Sequence, residues 1–87
     1  MYSFHLLSAA VEDLAKLDKS AARRILARIV WLAENFEFIK HETLKGGLSG
    51  LYKFRTGSYR VIYEVFEEEK LVTIHSIGHR REVYKRR

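Results

Sequence analysis

Three cations lie close together in the stretch from Leu51 to Arg60, which carries the side chains best suited to chemistry. The stretch predicts a β-strand, a tight turn at residues 56–58 and the beginning of a second strand. Because side chains alternate between the faces of a strand, Lys53 and Arg55 are expected on one face, with Arg60 joining them across the turn. Such a cluster forms a positive site on a rigid platform and can bind phosphate.

A second cationic edge is expected from Gly78 to Arg81, with Tyr84 just beyond it. Cations bind phosphates and aromatic rings stack on bases, so this mixture suits RNA. Strand tyrosines such as Tyr59 and Tyr63 are also typical core residues, and Arg60 could pair with Glu64 on its own strand. The tyrosines considered together with the cations are Tyr52, Tyr59, Tyr63 and Tyr84.

The same residue types can support RNA cleavage without a metal. In that reaction the 2′-hydroxyl attacks its own phosphodiester, and the protein orients the chain, neutralises charge and moves protons. Arginines stabilise the pentavalent phosphate, and a lysine beside other cations can act as a base. A cluster used only for binding remains an alternative.

Other chemistries find little support. The four histidines have no spacing typical of a metal site, and no metal is expected. Cysteine is absent and there is no Gly-x-Ser-x-Gly motif, which argues against a nucleophilic hydrolase. The glycine-rich run from Gly46 to Gly50 lacks the lysine and the following helix of a phosphate-binding loop, so we interpret it as a turn.

Charge is distributed unevenly along the 87 residues, which form one domain with a net charge of +5. Residues 1–43 carry six Lys/Arg and six Asp/Glu, whereas residues 44–87 carry ten and five. A basic second half predicts an anionic partner, with nucleic acid the first candidate. No membrane span or signal peptide is expected, and the lack of cysteine fits a cytoplasmic location.

The elements that position these residues follow from hydrophobic spacing. Residues 2–7 predict a strand, and Ser8 is expected to cap a first helix whose apolar stripe includes Val11 and Leu14. Ser20 is expected to cap a second helix from Ala21 to Phe36, and its apolar positions, Leu26 among them, have helical spacing. Glu12 and Asp13 are expected near the positive end of the first helix.

The connector from residue 37 to 50 is expected to be anchored by Phe38 and Ile39. Three strands should follow, at about residues 51–55, 59–66 and 71–77, with a four- or five-residue loop at Glu67–Lys70. The predicted fold is therefore α+β: an N-terminal strand, a two-helix hairpin and a three-stranded antiparallel sheet, with the helices on one sheet face. The opposite face would show Lys53 and Arg55.

Three blocks of this sequence resemble the RelE/ParE superfamily of toxins from type II toxin–antitoxin systems. They are Leu44–Gly46, the run Gly57-Ser58-Tyr59-Arg60-Val61-Ile62-Tyr63, and Gly78-His79-Arg80-Arg81-Glu82-Val83-Tyr84. The resemblance covers nearly the whole chain and is closest to the RelE branch. It implies a RelE-like fold, no cofactor, and cleavage of mRNA in the ribosomal A site by 2′-hydroxyl attack.

The resemblance also implies roles for individual residues. Arg55 replaces a second lysine of the family pattern, and because arginine is a poor base, the general base is left open among Lys53, Glu64 and His79. The implied catalytic residues are Lys53, Arg55, Arg60, Arg80 and Tyr84. The implied RNA contacts are Lys45, His79, Arg81 and Lys85.

The implied partners are the ribosome with its mRNA and a small acidic RelB-like antitoxin. The toxin alone is expected to be a monomer, and the tail from Val83 to Arg87 is where the antitoxin should exchange with the active surface. Two alternatives remain: a ParE-like inhibitor of DNA gyrase, and a catalytically inactive relative that binds RNA or protein.

Overall fold

A computed structural model describes residues 1–44 and 50–79 of the chain. Within these two ranges a short N-terminal strand leads into two helices, and the later strands follow a connector that contains a 3₁₀ turn at Phe36–Phe38. The elements are β1 (Ser3–Leu6), α1 (Ser8–Ala15), α2 (Lys19–Glu34), β2 (Glu42–Thr43), β3 (Tyr52–Thr56), β4 (Tyr59–Phe66) and β5 (Leu71–His79).

The described strands form one sheet in the order β1-β5-β4-β3-β2. β1 pairs in parallel with β5, and the other neighbours are antiparallel. The helices pack on one face, as the predicted α+β fold requires. The short strand β2 was not predicted because two residues are too few to show alternation, and its pairing depends on β3 lying beside it.

Both predicted helix caps are wrong. The residue before α1 is Leu7, which makes no side-chain capping bond, and Ser8 is already helical. The second helix begins at Lys19, because the Asp18 carboxylate accepts a hydrogen bond from the Ala21 amide at 2.8 Å. An aspartate at this position satisfies a free amide and places negative charge at the positive end of the helix.

The core lies between α2 and the helix-side face of the sheet. Its fully buried side chains come from α2 and from the two central strands: Ile25, Ile29, Leu32, Val61, Tyr63, Val72, Ile74 and Ile77. Three apolar residues that were expected to be buried are exposed instead: Val11, Leu26 and Phe38, at 51%, 39% and 82%. On α1 the buried positions are Ala10 and Asp13, so Val11 points away from the core.

Asp13 supports an irregularity in β5. The register between β4 and β5 shifts beside Tyr63, so that one extra residue of β5 bulges. The buried Asp13 carboxylate accepts a hydrogen bond from the Ile77 amide at 2.8 Å, close to that bulge. Asp13 therefore fixes the sheet to α1, rather than serving the helix end where the sequence pattern had placed it.

Two different turns close the hairpins. Thr56 pairs with Tyr59 across a two-residue turn in which Gly57 has φ +62° and Ser58 does not have positive φ, the pattern of a type II′ turn. The predicted four-residue loop joins β4 to β5, where Phe66 pairs with Leu71. Its last residue, Lys70, has φ +51°, a conformation not expected from the sequence.

Candidate nucleic-acid interface

The register of β3 and β4 brings three cations to the sheet face opposite the helices. Arg55 is the direct cross-strand partner of Arg60, and Lys53 is the partner of Ile62. Because directly paired residues share a face, these three side chains lie together. We call Lys53, Arg55 and Arg60 the cationic face. This arrangement agrees with the expectation from strand alternation.

The three cations differ in exposure. Arg55 is exposed, Lys53 is half-buried, and Arg60 retains only 8% of its surface. Gly78 is the partner of Arg60 on β5 and presents no side chain beside it. Like charges directly across a sheet cost stability, on the order of 0.2–1 kcal/mol. An anion bound between Arg55 and Arg60 would relieve this cost.

A small apolar cluster supports the cationic face. Leu44 and Ile62 are 7% and 4% exposed, and Leu51 packs against them. The Leu44 amide donates to the Leu51 carbonyl at 2.9 Å, which continues the pairing of β2 with β3. Lys53 thus lies beside apolar surface, where electrostatic interactions are stronger than in bulk water.

Glu42 is a candidate site residue that sequence reasoning missed. It is the direct partner of Lys53 across β2 and β3, so its carboxylate lies on the same face as the cations. A groove of about 200 Å³ at this edge of the sheet is lined by Glu42, Lys53 and Arg55 among other residues. The strand that carries Glu42 is too short to be recognised from its sequence pattern. The pairing adds a proton acceptor to a cluster that otherwise supplies only positive charge.

His41, next to Glu42, fixes this part of the connector from the helix side. Its Nε2 lies 2.8 Å from the Phe36 carbonyl and its Nδ1 lies 2.6 Å from the Tyr63 hydroxyl. Because a carbonyl can only accept, Nε2 carries the hydrogen, and Nδ1 of the neutral ring accepts a hydrogen bond from the Tyr63 hydroxyl. His41 also packs on the Phe36 ring, with centroids 3.9 Å apart. The connector is therefore anchored by His41 and by Ile39, which packs against the core as predicted, whereas Phe38 is exposed.

Tyr63 is buried, with 1% of its surface exposed. Burial raises the pKa of its phenol well above the usual value, and the neighbouring Tyr52 and Glu42 raise the pKa further. The hydroxyl therefore stays protonated and can keep donating to His41. Tyr63 thus acts as a structural support for the segment that carries Glu42.

The strand tyrosines do not share the face of the cations. Tyr52 and Tyr63 stack at 5.5 Å on the helix side, and Tyr59 packs against the same core. Their interpretation as core residues is therefore confirmed, since strand alternation places them opposite Lys53 and Arg60. None of these three rings is positioned to stack on a base held at the cationic face.

His79 and Glu64, two candidates for the general base, lie apart from each other. His79 pairs with Tyr59, so the register places it on the helix side, where the two rings make an edge contact at 6.2 Å. Glu64 Oε1 lies 2.9 Å from His75 Nε2, and both side chains are about one-third exposed. The expected pairing of Glu64 with Arg60 is thus replaced by pairing with His75. Strand alternation places Glu64 on the same face as Arg60, whereas His79 lies on the helix side.

Five residues assigned by resemblance lie outside the residues that the structure describes. They are Lys45, Arg80, Arg81, Tyr84 and Lys85. In residues 1–44 and 50–79, no group of three or more His, Asp or Glu side chains could hold a metal ion. Over the same ranges, no helix has the length and apolar character required to cross a membrane.

A small α+β domain in which two arginines are direct cross-strand partners on the sheet face opposite the helices has a positive surface suited to an anionic polymer. The chain belongs to the family of ParE toxins of type II toxin–antitoxin systems (parDE), whose model matches residues 5–84. It is 33% identical to toxin RelG of Mycobacterium tuberculosis over 91 aligned positions, covering 98% of each chain.

Solved structures give the same assignment. The RelBE2 toxin–antitoxin complex of M. tuberculosis matches with 30% identity and a TM-score of 0.69, covering 91% of this chain and 98% of that one. The isolated E. coli RelE toxin matches with 26% identity and a TM-score of 0.74, covering 99% and 94%. Together, these similarities identify the protein as a type II toxin of the RelE branch, as the sequence motifs had indicated.

Proposed function

We propose that this toxin is a ribosome-dependent endoribonuclease that acts in the cytoplasm and cuts mRNA in the ribosomal A site. The observation that carries the proposal is the cationic face, where Arg55 and Arg60 oppose each other beside the Lys53–Glu42 pair. Positive charge fixed on a rigid sheet can stabilise the developing charge of a phosphorane without reorganising.

The proposed reaction is an internal transesterification. The 2′-oxygen forms a bond to phosphorus while the bond from phosphorus to the 5′-oxygen breaks, leaving a 2′,3′-cyclic phosphate and a 5′-hydroxyl. Arg55 and Arg60 neutralise the non-bridging oxygens, and bidentate arginine contacts suit this geometry. One proton leaves the 2′-hydroxyl and another is delivered to the departing 5′-oxygen.

Glu42 and Lys53 are suited to these two proton transfers. The Glu42 carboxylate accepts the proton of the 2′-hydroxyl, a role that arginine at position 55 cannot fill. The Lys53 ammonium, directly across β2 and β3, carries a proton that it can donate to the leaving oxygen. The positive charge of the cationic face supports the reaction with no metal. Arg80 and Tyr84 remain proposed catalytic residues on the basis of the family motif.

The proposed physiological partner is a small acidic antitoxin. Relatives of known structure are bound to RelB antitoxins in complexes from M. tuberculosis and Pyrococcus horikoshii. The basic second half of this chain suits an acidic ligand as well as RNA. We propose a hetero-oligomer in which the antitoxin covers the cationic face and displaces the tail at residues 83–87.

Inhibition of DNA gyrase is the second candidate, because the matching family model is that of the ParE toxins. The cationic face favours RNA cleavage, since a gyrase inhibitor has no need for a carboxylate placed directly across from a lysine. An inactive relative that only binds RNA would likewise have no use for Glu42 at this position.

Primer extension on a defined mRNA tests the proposal directly. Purified toxin is mixed with programmed ribosomes in excess EDTA, and the control reactions omit the ribosomes or add the toxin to relaxed DNA and gyrase. Cuts confined to the A-site codon and present only with ribosomes are expected. Intact mRNA together with lost supercoiling would establish gyrase as the target, and no effect in either assay would leave a binding-only relative.

A further inference from the structure

Helix α2 is strongly basic, although it lies in the half of the chain that is neutral overall. It carries Lys19, Arg23, Arg24 and Arg28 against a single carboxylate, that of Glu34. By sequence pattern alone, Arg23, Arg24 and Arg28 lie away from the apolar stripe and indicate an ordinary solvated face. All four cations are exposed. Their placement on the fold shows that two of them line a concavity.

A cleft of about 580 Å³ lies between α2 and the turn that joins β3 to β4. One wall is formed by Arg24, Ala27 and Arg28 of α2, and the other by residues 56–59 of the hairpin. Among the described residues that line it, none is acidic. The cleft is therefore positive at its rim and offers the hydroxyls of Thr56 and Ser58 on its second wall.

Both arginines of the cleft are held in place. Arg24 Nη1 donates to the Ser20 hydroxyl at 3.1 Å. The Arg28 guanidinium lies 4.5 Å from the centre of the Trp31 ring and 5.4 Å from that of Phe54. A guanidinium stacked on a ring keeps its N–H groups free in the plane, where phosphate oxygens can accept from them. Binding an anion here costs little additional side-chain entropy.

We propose that this cleft is a second RNA-binding site, in which Arg24 and Arg28 contact the sugar–phosphate backbone. The proposal rests on the proposed function, which makes RNA the ligand. Residues four apart on a helix have Cβ atoms about 6 Å apart, so both guanidinium groups can contact one segment of backbone. Arg28 also lines the neighbouring groove that contains Glu42 and Lys53, so it lies between the cleft and the cationic face.

The β3–β4 hairpin connects the cleft to the cationic face. The Arg55–Arg60 pair is followed immediately by the Thr56–Tyr59 pair, and the turn at Gly57 and Ser58 closes the hairpin. An RNA segment that leaves the cationic face over this turn therefore reaches the cleft on the other side. This continuity with the cationic face favours RNA over an acidic peptide as the occupant.

The test compares two double variants that remove the same charge from α2. Arg24→Gln/Arg28→Gln changes the cleft, whereas Lys19→Gln/Arg23→Gln changes cations that do not line it. The ligands are a 12-nucleotide single-stranded RNA made uncleavable by 2′-O-methyl groups, vacant 70S ribosomes, and a decaglutamate peptide. Circular dichroism and thermal melting check that both variants fold.

We expect the cleft variant to weaken RNA binding about tenfold and to reduce the salt dependence of log K by about 1.4, corresponding to two phosphates. The control variant should stay within about twofold of wild type by the same measure. If the cleft variant binds the short RNA more weakly than wild type, the cleft binds single-stranded RNA. If only its binding to ribosomes is weakened, the cleft binds ribosomal RNA.

Equal losses in the two variants would overturn the proposal, because net charge alone would then explain binding. A loss with decaglutamate as large as with RNA would overturn it in favour of a protein-binding surface. The proposed function is tested separately, by cleavage with the wild-type toxin. Even if the wild type does not cut RNA, the two variants can still differ in RNA binding. Conversely, the wild type can cut RNA while the two variants bind RNA equally.

Discussion

The two sides of the β3–β4 hairpin both carry arginines, but they differ in the chemistry that surrounds those arginines. On the cationic face, Arg55 and Arg60 oppose each other on neighbouring strands, and Glu42 lies across from Lys53. In the cleft, Arg24 and Arg28 project from a helix and no described lining residue is acidic. Positive charge suffices for binding RNA, whereas cleavage also needs a group that accepts a proton. We therefore propose that one side cleaves RNA and that the other only binds it.

The largest expected effect tests whether this division is correct. Arg60→Ala should reduce cleavage on programmed ribosomes by about 10²- to 10³-fold, as removal of a preorganised charge-stabilising group does in other enzymes. The measurement is the single-turnover rate by primer extension. Arg24→Gln in the cleft should leave that rate unchanged at saturating toxin.

Burial of Arg60 requires its own control, because only 8% of its surface is exposed. Arg60→Lys keeps the charge and loses the planar fork, and thermal melting of both variants shows whether the fold is retained. If Arg60→Ala melts like wild type and still cuts at the wild-type rate, the cationic face is not the catalytic surface.

A smaller effect on cleavage is expected from Glu42, the carboxylate that lies beside the cationic face and has no counterpart among the described residues lining the cleft. Glu42→Gln keeps the size and polarity of the side chain but cannot accept a proton, so cleavage should fall about 100-fold. The limb of the pH–rate profile that reports deprotonation of the base should disappear. Glu37→Gln, in the exposed part of the 3₁₀ turn, is the matched control and should retain the wild-type profile.

The opposite result would assign the base elsewhere. A Glu42→Gln variant that cuts more slowly but with an unchanged pH profile would show that the carboxylate is not the base and acts only through its cross-strand neighbour Lys53. The double variant Glu42→Gln/Lys53→Met then decides between the two roles. If the loss of cleavage in the double variant equals the sum of the two single losses in free energy, Glu42 and Lys53 act independently. If the double variant loses no more than the more impaired single variant, the two residues act as one coupled pair.

Strand alternation was sufficient to predict the cationic face. Lys53 and Arg55 are two positions apart on one strand and Arg60 follows after one short turn, so their common face follows from local geometry. Hydrophobic spacing predicted the α+β fold and the motifs of the family indicated the RelE branch for the same reason, since both depend on strands, helices and turns that are local in the chain.

Glu42 and the cleft could not be predicted in this way. Glu42 meets Lys53 only because an eleven-residue separation is closed by strand pairing, and β2 is too short to show a pattern. Arg24 and Arg28 resemble an ordinary solvated helix face until the hairpin is placed beside them. The exposed Val11 and Leu26 show the same limit, because the direction of a helix stripe depends on how the helix docks.

The smallest expected effect concerns the hydrogen bond between Tyr63 and His41, which lies on the helix side of the sheet and helps to position Glu42. Tyr63→Phe removes the hydrogen bond to His41, which precedes Glu42, and should lower the free energy of unfolding by about 1 kcal/mol. Cleavage should fall less than in Glu42→Gln, since the β2–β3 pairing that holds Glu42 beside Lys53 remains. Urea unfolding at pH 8 measures the first effect, and primer extension measures the second.

The pH dependence of that stability provides an independent check. Burial raises the pKa of Tyr63 in the folded protein above the unfolded value of about 10, so folding favours the protonated phenol. Its contribution is complete below pH 10 and is lost as the pH rises toward the folded pKa. The stability advantage of wild type over Tyr63→Phe should therefore shrink above pH 10. If the two proteins lose stability in parallel there, the Tyr63 hydroxyl is not kept protonated by the core, and His41 must hold Glu42 without it.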